Sequence, residues 1–410
     1  MGIRGLLASV AAALLLAGSL CAEPRVLPYT EPDLSSPVLP PLRPFAELPP
    51  ALGSVYGGVE YLHWKLRDTP LPVPLLASAV SRDSTGLVDR PGTRLLLGNE
   101  YVSQPWRDGG RFTLGMWFDD QRGIGVEGSG FFLAAATTQT GFADPTGETR
   151  LAVPYIGATR RTAAVYPLSG RTAAGEAGLA VSSQLIGGDL YCLANACEYG
   201  TIQIDALFGA RYLYLYESLT YRTRTAPLTG AGEPLLTRDW FGTYNQFAGP
   251  GAGLSLSWSA GRLSANLLAK VAYGIMNERV NITGETVTAR FNTPAGGAAR
   301  TFAGGLFAQP TNIGHTAKVR MAVLPEANLT VGVQLLTNLR ASIGYGFLYT
   351  DSVARPGDQI DPRINSSQSV ALTGKANPPG IGTGRAQPER TVTANDFWAH
   401  GLNLGLEFQF

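Results

Sequence analysis

Leu402-Asn403-Leu404-Gly405-Leu406-Glu407-Phe408-Gln409-Phe410 closes the sequence, and its reading decides the fold. Apolar and polar residues alternate strictly. Leu402, Leu404, Leu406, Phe408 and Phe410 share one face, and Asn403, Gly405, Glu407 and Gln409 share the other. Period-two alternation describes a strand with one greasy and one wet face. An ordinary sandwich strand alternates in the same way, but it rarely ends on two projecting Phe. The closing strand of a bacterial outer-membrane barrel commonly does. Leu406, Phe408 and Phe410 are then the C-terminal insertion signal read by the barrel-assembly machinery.

The opposite end supports export. Arg4 is followed by the apolar run Leu6–Leu16 and by small residues at Ala17-Gly18-Ser19 and Ala22, so 1–22 reads as a secretory signal. The run is too short to span a bilayer as a helix, and no later segment offers eighteen consecutive apolar residues. A closed barrel is the remaining way across a membrane. Residues 23–54 are Pro-rich and read as an extended periplasmic leader. Residues 55–410 then form one barrel domain. Lys+Arg (32) and Asp+Glu (31) nearly cancel, which speaks against nucleic-acid binding.

Ten strands are expected, at about 55–66, 110–119, 123–136, 177–194, 199–217, 243–258, 262–280, 317–335, 338–353 and 396–410. Twelve is the alternative, because Arg94–Leu97 reads as an extra strand or a plug segment. Tight turns near Asp119–Gly123, Asn195–Cys197, Ser259–Gly261 and Leu336–Thr337 alternate with the long connections 67–109, 137–176, 218–242, 281–316 and 353–395. Short periplasmic turns and long outer loops are the pattern of an up-and-down transmembrane barrel. Aromatics fall where its interfaces belong: Tyr212, Tyr214, Tyr216, Tyr345, Phe347, Tyr349 and Trp398 outside, and Trp258, Phe408 and Phe410 inside.

Several motifs then read together. They are Val59-Glu60-Tyr61-Leu62-His63-Trp64, Gly110–Trp117 with Gly125-Val126-Glu127, Leu207–Tyr212 into Tyr216–Leu219, and Lys270–Gly274. To these add Leu324-Pro325-Glu326, Arg355–Asp361 and Asp396-Phe397-Trp398. From about Gly57 to Phe410 the chain resembles the bacterial outer-membrane family named Putative beta barrel porin-7. The resemblance implies an outer-membrane barrel and says little about cargo.

The wet strand faces become the lumen. They carry Arg111, Glu127, Asp205, Arg211, Glu217, Lys270, Glu278, Lys318, Arg320, Glu326, Arg340 and Glu407. Two readings follow: porin-like passage of small solutes through a narrow charged lumen, or a non-conducting structural or surface-interaction barrel acting through its long outer loops. About eight strands leave an interior just filled by side chains, while porins with aqueous channels have about sixteen to eighteen. Ten strands therefore favour a narrow or plugged lumen, in which buried charges must pair.

An enzyme is not expected. The histidines are His63, His315 and His400, and no Gly-x-Ser-x-Gly elbow is present. A rim Asp/His or Ser/His pair within hydrogen-bond reach would revive that reading. Gly249–Gly253 lacks the Lys-Ser/Thr of a phosphate loop. Asp358 and Asp361 read as turn caps pairing with Arg355 or Arg363 rather than as ligands of an ion, so neither metal nor cofactor is expected. Cys192 and Cys197 are a candidate disulfide across a hairpin turn. The expected partners are outer-membrane lipid, the assembly machinery and small solutes.

Overall fold

The computed structural model describes residues 54–79, 87–88, 90–119, 122–159, 161–229, 234–288, 299–374 and 385–410. The expected signal segment and the leader up to residue 53 lie outside them.

Ten long strands run β1 Val55–Leu66, β2 Trp106–Trp117, β3 Ile124–Asp144, β4 Ala173–Tyr199, β5 Ile202–Pro227, β6 Leu235–Ala260, β7 Leu263–Thr288, β8 Gly314–Leu336, β9 Leu339–Ala354 and β10 Ala394–Gln409. Each pairs antiparallel with the next. β10 returns to β1 over Tyr56↔Gln409 to Leu66↔Ala399, so the sheet closes as a ten-strand ring. The ring removes every sheet edge that lipid could not satisfy.

The strand count and order match the sequence reading, but most of the strands are longer. β4 has 27 residues, and β5, β6 and β7 have 26 each, against about nine to eleven needed to cross a bilayer. β5 shows why. Its outward residues are apolar or aromatic from Ile202 through Phe208 and Tyr212 to Tyr216, and then become Ser218, Thr220, Arg222 and Arg224. Inward residues change the other way, from Asp205 and Arg211 to Leu219 and Tyr221. Past the tyrosines the wall stands in water outside and encloses an apolar interior. The alternation inverts there, so the strand signature fades while the ladder continues.

The tight turns lie at the end of the ring where β1 starts and β10 ends, at Val55 and Gln409. The Asp119 carboxylate accepts from the Gly123 and Ile124 N–H groups at 2.7 and 3.3 Å, a turn-forming role. Gly261 occupies the β6–β7 turn at φ +59°, where a side chain would be strained.

At the outer end the long loops fold inward. Leu76–Ala79, Thr93–Leu97, Arg150–Gly157, Thr162–Pro167 and Arg363–Ile364 form a five-stranded sheet. Arg94–Leu97 thus belongs to this loop sheet and adds nothing to the ring. Leu71, Leu75, Leu151, Leu306, Phe307, Ile360 and Ile364 come from four different loops and pack on Leu219, Tyr221, Phe241 and Ile282 of the inner wall. Gly357 lies against the Pro70 carbonyl with no room for a Cβ, which seats the last loop on the first.

Candidate functional site

The lumen changes character in layers from the periplasmic end outward. First comes an open vestibule with a cavity of about 360 Å³, whose lining includes Tyr56, Thr113, Asp205, Asn266, Arg340 and Glu407. Here Arg340 pairs with Glu407, and Gln203 Nε2 donates to Asp205 at 2.9 Å.

Above it lies a layer of charges. Arg111 reaches Glu60 at 3.4 Å and Glu326 at 3.3 Å, and Arg211 pairs with the second oxygen of Glu326. Asn328 donates to Glu326 at 2.6 Å. Lys270 donates to Asp189 at 2.7 Å, as does Ser129 at 2.8 Å, and Tyr56 donates to Glu127 at 2.7 Å. Arg111 lies 5.7 Å from the Trp64 ring and 5.6 Å from that of Phe131, and Lys270 lies 5.2 Å from Tyr191. These are cation–π distances. Glycines permit the crowding: a Cβ on Gly251 would sit 2.5 Å from the Tyr191 hydroxyl.

The third layer is apolar. Leu62, Trp64, Leu66, Phe131, Leu133, Leu185, Leu213, Phe247, Met276, Leu324, Leu348 and Phe397 are buried together inside the ring. Trp64 Nε1 finds Asn403 Oδ1 at 2.7 Å, so its polar end is satisfied.

A second polar layer follows. Arg355 grips Glu217 through two bonds of 2.5 and 3.0 Å, with both side chains fully buried. Arg107 donates to the Ser183 carbonyl and hydroxyl at 2.6 and 2.7 Å. Asn245 bonds both backbone groups of Ala354, and Glu278 is held by Arg320 at 2.9 Å and Ser352 at 2.7 Å. The loop cap closes the outer end. Within it the buried Asp239 carboxylate accepts from Leu306, Phe307 and Ala308 N–H at 3.1, 3.1 and 2.8 Å. Burial pushes this carboxyl up to about 6, although the three donors favour its charged form.

All twelve charges read from the sequence stand on the inward parity. Arg111, Arg211 and Glu326 come together in one network. Glu127, Glu217, Lys270, Glu278, Arg320, Arg340, Glu407 and Asp205 each have the partners given above. Lys318, in register with Glu278, is exposed at the outer end. Sequence reasoning missed Glu60, Arg107, Asp189 and Asp239 as lumen charges, and it gave Arg355 to the turn at Asp358 and Asp361. Glu60 and Asp189 lie on the two strands whose alternation is least clean, and Arg355 sits in what reads as a loop.

The candidate disulfide is corrected. Cys192 and Cys197 are both free. They lie on one strand, before the true turn at Gly200, and both point outward. Five strand residues span about 16 Å, against the roughly 4.4–6.8 Å between Cα atoms that a disulfide needs. Asp361 pairs with Arg363 at 2.8 and 3.0 Å, Asp358 accepts from Asn395 at 3.0 Å, and Arg355 turns to Glu217 instead. No metal-ligating group of His, Cys, Asp and Glu occurs among the described residues.

One rim pair does form. His63 Nδ1 lies 3.0 Å from Asp108 Oδ1, and Tyr61 donates to the same carboxylate. Both residues project from the outer wall. His63 stacks on Trp106 at 5.2 Å, and its described hydrogen bonds include no Ser, Thr or Cys.

The family assignment rests on the sequence, for which the profile of the family named Putative beta barrel porin-7 matches residues 56–410. The chain belongs to that family. Among solved structures, this porin-7 family member is similar to the outer membrane protease OmpT of Escherichia coli, at 7% identity over 88% of this chain and 99% of that one, with a TM-score of 0.40. It is also similar to a Pseudomonas aeruginosa FadL homologue, at 8% identity over 88% and 90% with a TM-score of 0.20. A third is the P. putida toluene transporter TodX, at 8% identity over 88% and 90% with a TM-score of 0.19. No curated protein matches the chain. The protein is an outer-membrane β-barrel.

Proposed function

We propose that this barrel is non-conducting as folded and acts through its capped outer surface, with its vestibule opening toward the periplasm. The observation that carries this reading is the stacking of layers across the lumen: the Arg111–Glu326–Arg211 charges, the Trp64–Phe247 apolar layer, the Arg355–Glu217 pair and the loop cap. A hydrated solute crossing it would have to displace a buried apolar layer and break ion pairs whose separated members are costly to bury. Porin-like passage, the reading the family name favours, then requires a rearrangement of all these layers.

The His63–Asp108 pair favours an enzyme less than its geometry suggests. It stands on a convex, lipid-facing wall without a nucleophile in its hydrogen bonds, whereas reaction sites are concave. At the other end, Leu406, Phe408 and Phe410 face outward, and Phe410 is 78% exposed. This suits capture of the last strand by assembly machinery before it seals against β1.

Single-channel recording in planar bilayers tests the reading. Refolded protein with heat-modifiable gel migration is expected to give no steady conductance. Uniform steps that change with charge reversal at Arg211 or Lys270 would replace it with porin-like passage.

A further inference from the structure

The outer wall carries a cationic groove that none of the lumen chemistry uses. One register row crosses it, Gly141↔Gly178↔Arg222↔Arg238↔Glu285, on β3 to β7. All five residues are on the outward face. A Cβ on Gly141 or Gly178 would meet only a strand carbonyl, at 3.6 and 4.0 Å, so the wall is bare beside Arg222. The hollow has a volume of about 610 Å³ and adjoins one of about 280 Å³ below, which shares Gly141, Gly178 and Arg222.

Arg222 and Arg238 are directly opposed across β5 and β6. Like charges in that position, with Cβ atoms about 4.5–5.5 Å apart, destabilise a sheet. Arg238 has a weak partner in Glu285 at 3.5 Å, and Arg224 binds Glu176 at 2.9 Å. Arg222 makes no ion pair among the described residues. Arg279 is exposed lower on the same face, level with Tyr244. Four arginines thus face two glutamates, and the surplus is positive.

Height identifies the occupant. Tyr216 and Tyr244, ring centroids 5.0 Å apart, belong to the outer aromatic girdle. Arg222 and Arg238 lie six residues further out on their own strands, about 14 Å along the membrane normal at a tilt near 45°. A glycerophospholipid carries its phosphate near the girdle, where Arg279 stands. An anion at the Arg222–Arg238 row must be carried on an extended headgroup. We infer that this groove binds a phosphorylated glycolipid of the outer leaflet, with phosphate between Arg222 and Arg238 and sugar over the bare strip at Gly141 and Gly178. Guanidinium forks suit phosphate oxygens, and the anion removes the repulsion.

Native mass spectrometry of the detergent-solubilised barrel tests this, using a phosphorylated lipooligosaccharide, its dephosphorylated form and inorganic phosphate as separate probes. Arg222→Gln/Arg238→Gln is expected to retain about tenfold less phosphorylated glycolipid than wild type, with unchanged heat-modifiable migration. Gly178→Trp, which fills the hollow and leaves both arginines, is expected to lower retention as well. Without glycolipid, Arg222→Gln is expected to be no less heat-stable than wild type. Equal retention by wild type and the double variant would overturn the inference. So would equal retention of the dephosphorylated form, or full displacement by inorganic phosphate, which would make this a free-anion site.

Discussion

Arg355 and Glu217 form a two-pronged ion pair across 138 residues of chain, and neither side chain reaches solvent. Arg355 also donates to the Arg67 carbonyl at 3.2 Å and the Thr69 hydroxyl at 3.4 Å, so one guanidinium ties the last loop to β5 and to the first loop. Removing one partner strands a buried charge. Arg355→Met is expected to cost about 3–5 kcal/mol, while Arg355→Met/Glu217→Leu recovers most of it. Urea titration of gel-shift unfolding in detergent reads both. A single variant as stable as the double would show that the pair is solvated.

The apolar layer beneath is expected to hold the lumen shut when the last loop of the cap is cut back. Shortening the last loop between Ile364 and Thr393 should leave bilayer conductance at background, because Trp64, Phe131, Phe247 and Phe397 remain packed below it. Steady current from that variant would move the closure into the loops. Phe247→Ala should cost about 3–5 kcal/mol through the cavity it leaves.

Asp239 sets a pH dependence on the cap. Its folded-state value of about 6 lies above the ordinary 3.8. The folded state therefore binds its proton more tightly than the unfolded state does. The resulting stability is fully present below about pH 3.8 and is lost as pH rises through about 6, an effect on the order of 2–3 kcal/mol. Amide exchange at Leu306, Phe307 and Ala308, corrected for intrinsic rates, is expected to show stronger protection at pH 4.5 than at pH 7.5. Asp239→Asn should flatten that profile. A wild-type profile with the opposite slope would contradict the assignment.

Cys192 and Cys197 should behave as independent thiols. Reduced and non-reduced samples are expected to migrate identically, and Cys192→Ser/Cys197→Ser should keep the wild-type heat-modifiable shift. Cys192 neighbours outward Leu190 and Phe208, so a lipid-soluble maleimide should label it faster than a charged one. Crosslinked protein under mild oxidation within one chain would restore the bridge.

The ring was legible wherever lipid lies outside and water or charge inside. Leu263 to Ile275 on β7, Tyr345 on β9 and the run from Leu402 to Phe410 carry that contrast residue by residue. It failed where the wall leaves the membrane. The outward face turns polar from Ser218 on β5 and Asn277 on β7, and past 217 and 280 those strands read as loops although their ladders run on to Pro227 and Thr288. The lumen charges follow from parity alone, but their partners do not. Arg355 and Asp239 act through contacts 138 and about 70 residues away in sequence, and no local pattern encodes such a distance. The cysteine reading failed for a simpler reason: the turn lies at Gly200, three residues past Cys197, so no turn separates the two thiols.

The cap joins Leu71 of the first loop to Ile360 and Ile364 of the last, and β1 meets β10 along a seam built from the two ends of the barrel domain. Its core cannot exist on a half-built barrel. Until the final hairpin arrives, the interior is an open trough with Trp64, Phe247 and Tyr221 facing water. Sealing the seam and dewetting that trough are therefore one event. A nascent chain stalled before β10 would leave Trp64 and Phe247 of the inner wall uncovered, toward whatever holds it.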